Sequence, residues 1–333
     1  GAPPPAAPAR GRGGMAGAGP DLPALSDDGV LVQVLACLRP GSWDGLRRLC
    51  RGMLQALSEP LFAAVLGQLL LLPAGGNLCK KLDELVDGAT VVLAAGLHRW
   101  AGRCRARRLR VFGRPGSRVR GRVQLGEGSS GCLYDVTLCN VDGGTLRVQG
   151  ASWALHGCAL ECGDADSSAL TAVSSHVALH GCAIRGVDTG LIVKPCWIGL
   201  LAKGSATVTA EACSIGPCVH RGAVAIDEAS LSLAGGCIEG CEEIGLRLSG
   251  GASVLAEGTR LACGGMALHA GAACSGSLEL RRCRIEGFQL LWGGDFRPRA
   301  LEMATCEVVG IGGAGAQAGA GEKDDRGEAE LAL

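Results

Sequence analysis

The sequence predicts a mainly β chain, a right-handed parallel β-helix solenoid with coils of about 23 residues behind a small α-helical hairpin. Three observations predict it. First, a short pattern (apolar, x, apolar, x, x, small, x, apolar) recurs from Tyr134 to Val308. Its copies are read as Tyr134/Val136/Cys139/Val141, Trp153/Leu155/Cys158/Leu160, Val177/Leu179/Cys182/Ile184 and Val208/Ala210/Cys213/Ile215, then Leu231/Leu233/Gly236/Ile238, Val254/Ala256/Thr259/Leu261, Leu278/Leu280/Cys283/Ile285 and Leu301/Met303/Cys306/Val308. The small residues stand 19, 24, 31, 23, 23, 24 and 23 apart. Second, apolar residues alternate over short runs, as half-buried strands require. Third, glycine pairs punctuate the runs at Gly143-Gly144, Gly235-Gly236, Gly250-Gly251, Gly264-Gly265 and Gly293-Gly294. A leucine-rich repeat would need an asparagine-bearing consensus and usually a helical segment, and neither is present.

Each coil needs more than one strand. A second apolar run precedes several copies, as in residues 189–193 (TGLIV), 222–226 (GAVAI) and 245–248 (GLRL). Two or three short strands per coil, stacked about 4.8 Å apart, turn every column of like residues into an inward ladder. Glycine at 55 of 333 residues and aromatics at 3% suit narrow coils with tight turns. The 18 cysteines find their place on the same period. Cys139, Cys158, Cys182, Cys213, Cys283 and Cys306 are read as one column, where a small buried hydrophobe fits. Adjacent parallel strands rarely offer disulfide torsions, so reduced core thiols are expected. With no secretory signal and no run long enough to span a bilayer, the expected location is cytoplasmic or nuclear and no membrane partner is expected. Gly1 in place of Met suggests a fragment or a processed start. Lys+Arg and Asp+Glu are 32 each, so no global field favours nucleic acid.

In chain order, residues 1–20 read as a flexible Pro/Gly/Ala leader. Leu22-Pro23 opens a helical segment with an apolar face at Val30, Leu31, Val34, Leu35 and Leu38, broken at Pro40-Gly41. A second helix carries Trp43, Leu46, Leu49, Cys50, Met53, Leu54 and Leu57. A third apolar stretch, 61–72, packs on these or seals the solenoid. Taken in order, Leu22-Pro23, Leu31 to Leu38, Pro40 and Leu46-Arg47-Arg48-Leu49-Cys50-Arg51 resemble an F-box, with a departure at Ala24–Gly29. An ordinary capping hairpin over residues 21–73 is the other reading. Residues 79–310 are assigned to the β-helix. Residues 87–97 resemble the opening strand of β-helix domains found behind F-boxes, and Leu109/Val111 and Val123/Leu125 supply the next strands. Residues 311–333 read as a flexible tail or the start of a further coil.

The chemistry-bearing residues are few. Pectate lyases and polygalacturonases use the β-helix, but their acid/base work needs clustered carboxylates. Here only Asp164 and Asp188 share a register, with Asp166 beside the first, and all are read as turn residues. His156 and His180 share a column that continues with Glu211, Glu257 and Arg281, read as an outward surface ladder. Cys158-x3-Cys162 and Cys237-x3-Cys241 lack zinc spacing. No catalytic residue, cofactor or metal is therefore expected. Ten arginines from Arg99 to Arg122 contain no acidic residue among them, and Arg103, Arg105, Arg107, Arg108 and Arg110 are candidates for docking an acidic or phosphorylated partner. Nucleic acid would want interleaved aromatics. The F-box resemblance implies a non-enzymatic substrate-recognition subunit of a Skp–cullin–F-box ubiquitin ligase. Leu22, Pro23, Leu31, Leu35, Leu38, Leu46 and Cys50 would then form or support the adaptor surface, and a β-helix face would hold the protein substrate. The alternatives are a carbohydrate-active or carbohydrate-binding β-helix protein and a plain interaction scaffold.

Overall fold

A computed structural model describes residues 69–188, 193–262, 264–271, 274–294 and 301–310. Over these residues the chain is a parallel β-helix with three sheets, called A, B and C in the order the chain visits them. One coil shows the plan. Ser152–His156 lies in sheet A, Ala159–Cys162 in sheet B and Ser168–Val173 in sheet C, after which His176–His180 returns to sheet A. Leu155 pairs with Leu179, Leu160 with Ile184, and Leu146 of the preceding coil with Leu170. All of these point inward and are essentially sealed from solvent. Their columns continue through Leu233 and Leu280 in sheet A, Ile215 to Ile285 in sheet B, and Leu200 to Leu268 in sheet C. The alternation read from the sequence is thus the alternation of inside and outside along each strand.

The bend from sheet A to sheet B takes two residues. The first adopts a left-handed backbone, which a glycine accepts without strain, as at Gly157 and Gly181 (φ 61° and 60°). Asp135, Ala212, Arg282 and Thr305 hold the same conformation with a side chain. The second residue turns inward: Val136, Cys158, Cys182, Cys213, Gly236, Thr259, Cys283 and Cys306. Cysteine suits this column for more than its size. Cys158, Cys182, Cys283 and Cys306 each donate through Sγ to a carbonyl of the preceding coil, those of Leu133, Leu155, Ala256 and Leu280, at 3.3–3.5 Å. Thr259 Oγ1 makes the equivalent bond to the Leu233 carbonyl at 3.4 Å. All fifteen described cysteines are free thiols.

Three expectations are corrected. The first copy of the repeat is displaced by three residues. Leu155 pairs with Leu133, Leu160 with Leu138 and Glu161 with Cys139, so Val136 occupies the corner column and Cys139 faces outward. Tyr134 likewise faces outward, level with His156. The spurious spacing of 19 becomes 22 once Val136 is the column member. Second, the long coil draws its sheet C strand from Cys196–Lys203, whose Leu200 and Ala202 pair with Ala223 and Ala225. The run at 189–193 is not that strand. Val193–Lys194 forms a short antiparallel pair with Val187 and Asp188, and residues 189–192 lie outside the described residues. Third, the solenoid begins before residue 79, because Leu69–Leu72 is a strand of sheet A paired with Thr90–Leu93. The helix Leu78–Asp83 follows it and sends Leu78, Cys79 and Leu82 into the core, closing the first coil.

Candidate functional site: the outer faces of the solenoid

The same pairing that stacks the core also stacks the outward side chains, so each sheet presents ladders of its own. Sheet A carries a column of rings. Phe112 stacks on Tyr134 at 4.5 Å between centroids, Tyr134 on His156 at 4.7 Å, and His156 on His180 at 4.7 Å, all within 10° of parallel. His180 Nδ1 then meets Glu211 at 3.0 Å, and the register continues through Ala234, Glu257 and Arg281. The His156–His180–Glu211–Glu257–Arg281 column expected from the sequence is therefore present. Its aromatic lower end was hidden by the displaced first copy. Two residues to one side runs a column of small residues, Ala154, Ala178, Thr209 and Ser232. Beyond it Ser152, His176, Thr207, Ser230, Ser253 and Ser277 form a mostly hydroxyl ladder.

Sheet B carries charges, and from Glu161 onward they are matched. Glu161, only 8% exposed, accepts from Arg118 at 2.5 Å and from Arg185 at 2.9 Å, its neighbours two coils before and one coil after. Farther along, Arg260 bridges Glu239 at 3.2 Å and Glu286 at 2.6 Å, while Arg284 bridges Glu286 at 2.6 Å and Glu307 at 3.5 Å. Hydrogen bonds from Arg260 and Arg284 hold the Glu286 carboxyl below its ordinary pKa. Strand spacing near 4.8 Å sets these long side chains at bridging distance.

Sheet C differs. Its residues Ile198, Leu201 and Val224, with Ile226 just past the strand end, form a small buried cluster separate from the main core, and Arg221 and Arg247 are buried on the same sheet. At its N-terminal end, Arg103 pairs with Gln124, and Gln124 with Arg147.

The arginine run does not occupy one face. Arg99, Arg118 and Arg120 project from sheet B, and Arg103 from sheet C. Arg105, Arg107 and Arg108 lie exposed on the bend to sheet A, where Arg110 pairs with Cys132. Leu22, Pro23, Leu31, Leu35, Leu38, Leu46 and Cys50 lie outside the described residues. Asp164 is committed to its own turn, accepting from Ser167 Oγ at 2.6 Å and the Asp166 amide at 3.1 Å. Asp188 ends the strand Ala183–Asp188 instead of sitting in a turn. Cys158 and Cys162 sit at different corners, and Cys162 donates to the Gly143 carbonyl at 3.4 Å. Among the described residues, no group of three or more His, Cys, Asp or Glu side chains is arranged to hold a metal ion.

No family model matches this chain, and no curated protein matches its sequence. The faces themselves carry the functional reading. One cysteine ladder escaped the sequence reading altogether. Cys196 pairs with Cys218, their sulfurs 3.5 Å apart, and Cys218 bridges to Cys241. Their spacings of 22 and 23 match the period, and that is the signal that could have found them.

Proposed function

We propose that this chain is a non-enzymatic recognition subunit of a Skp–cullin–F-box ubiquitin ligase. In this reading Leu22, Pro23, Leu31, Leu35, Leu38, Leu46 and Cys50 dock the adaptor and an outer face of the β-helix holds a protein substrate. The observation that carries the binding role is the continuity of the outward ladders. A stiff tube with side chains in fixed rows is a ready-made extended surface. The sequence pattern from Leu22 to Arg51 carries the adaptor role. The free, buried thiols support a reducing location, cytoplasmic or nuclear.

The carbohydrate-active alternative draws no support from Asp164, whose carboxylate is spent on Ser167 and Asp166. Affinity capture of the full chain with a Skp-type adaptor and cullin tests the proposal. The intact protein should retain both partners, and a Leu46→Asp/Leu49→Asp double variant should lose them. Equal capture by the variant, or none by the intact chain, would sink the adaptor role.

A further inference from the structure

We propose that Arg103, Arg122 and Arg147, with the Gln124 side chain between two of them, form a recognition site for a phosphorylated side chain on a partner protein. The site deepens the binding role proposed above, and it rests on the coil register. Arg103, Gln124 and Arg147 stand one above another on the outside of sheet C, in three successive coils. At a strand spacing of about 4.8 Å, the two arginine backbones are roughly 10 Å apart. That distance lets two guanidinium forks close on one tetrahedral oxyanion. Arg122 precedes Val123 in the middle strand and adds a third cation.

Three features set this cluster apart from the arginines that close on Glu161 and Glu286. Among the described residues, none of the three makes an ion pair, whereas Arg118, Arg185, Arg260 and Arg284 all do. Glu127, an acidic residue close by in the chain, lies instead against Gly150 and pairs with none of them. The Arg147 Nε is buried without a hydrogen-bond partner, an arrangement that costs free energy until a ligand supplies an acceptor. Burial, reinforced by the charges of Arg122 and Arg103, lowers the Arg147 pKa, so the cluster carries its own repulsion into the folded state. Gly126 completes the geometry. A methyl at that position would sit 2.6 Å from Cγ and Cδ of Arg103, so the arginine stem lies directly over its backbone.

The neighbours decide the class of ligand. Past Arg147 the column passes through Thr171, Leu201 and Val224 before it reaches Arg247, so three uncharged coils interrupt the cations where a phosphodiester track requires them to run on. The strands Arg103–Cys104, Val123–Leu125 and Leu146–Gln149 contain no aromatic residue on which a base could stack. A compact dianion on a peptide fits three clustered cations beside an apolar column.

The test uses the full chain and a fluorescent Ala-phosphoserine-Ala peptide at physiological salt, with Ala-Ser-Ala, inorganic phosphate and a single-stranded DNA oligomer as comparators. The phosphopeptide should bind, the unmodified peptide should not, and inorganic phosphate should compete. Arg147→Gln should weaken binding about tenfold or more, the loss of one charged hydrogen-bonding partner. Gly126→Ala should weaken it without changing any charge, and Arg105→Gln on the exposed bend should leave it unchanged. Arg147→Gln should also melt no lower than the parent at low salt. Equal binding of both peptides, tighter binding of the DNA, an Arg105→Gln loss as large as that of Arg147→Gln, or a lower melting temperature for Arg147→Gln would overturn the proposal. Phosphopeptide binding by a chain that captures no adaptor would remove the ligase role and leave the site. Adaptor capture by a chain blind to the phosphopeptide would remove the site alone.

Discussion

Sheets B and C are built from the same coils, yet their outer faces treat arginine in opposite ways. On sheet B, Arg118 and Arg185 close on Glu161, and Arg260 and Arg284 are flanked by Glu239, Glu286 and Glu307. Each of these four cations has an anion one or two coils away. On the first strands of sheet C, Arg103, Arg122 and Arg147 are gathered with a glutamine and no carboxylate. A repeat that stacks each residue on its homologue makes like charges meet unless the rows alternate in sign. Sheet B stacks Arg260 on Arg284 but flanks them with the carboxylates of Glu239, Glu286 and Glu307, so their charge is satisfied within the chain. The sheet C cluster has no flanking carboxylate, and its free valence points to something outside the chain.

The largest effect that sharpens this contrast comes from the interior both faces share. Leu160 points inward beside the outward Glu161 and is sealed from solvent. Leu160→Ala should cost about 2–5 kcal/mol in urea unfolding, far more than any change on either face. A smaller loss would mean the inward and outward assignments along Ala159–Cys162 are wrong.

A pH scan separates interior from exterior next. Burial pushes the Cys104 thiol up to about 12 and the Cys162 thiol up to about 11. The unfolded chain releases these protons near 8.5, so the folded state holds more protons above that pH. Stability from these thiols is complete below about pH 8.5 and is lost as pH climbs toward 11–12, by up to about 1.4 kcal/mol per pH unit for each thiol. Both thiols lie in the core and on neither outer face, so their titration reports on the interior. A Cys104→Ala/Cys162→Ala variant should show a shallower alkaline fall.

Glu161→Gln should cost about 1 kcal/mol, because its two arginines are half exposed and keep their hydration. Added salt should shrink that loss. Smallest, and opposite in sign, is Arg147→Gln, which removes repulsion from Arg122 and Arg103. It should raise stability by less than about 1 kcal/mol at low salt, with the gain vanishing as salt rises. Destabilisation by both substitutions would erase the distinction between the two faces.

The arginine run shows why one face was legible and the other was not. Counting arginines from Arg99 to Arg122 finds the charge, but the chain makes a full coil and more in that span and deals them to all three sheets. Arg147 lies 25 residues beyond Arg122, in a stretch with no basic excess, and only the pairing of Gln124 with Arg147 brings it over. The His156–His180 column was readable because both residues sit in identical His-Gly-Cys corners. Phe112 and Tyr134 were not, because the earlier corners lack that tripeptide and the register could slip by three without breaking the apolar pattern.

By itself, the sequence determined the coil, its period and the residues that fill it. A closed tube admits only apolar or small side chains at fixed intervals, and that requirement is written on every turn. Tertiary structure alone decided which outward residues share a row, where the first coils start, and that three arginines from successive coils converge. Outward positions carry no packing constraint, so their pairing is set by turn lengths, which vary from coil to coil and become visible only when the strands are stacked.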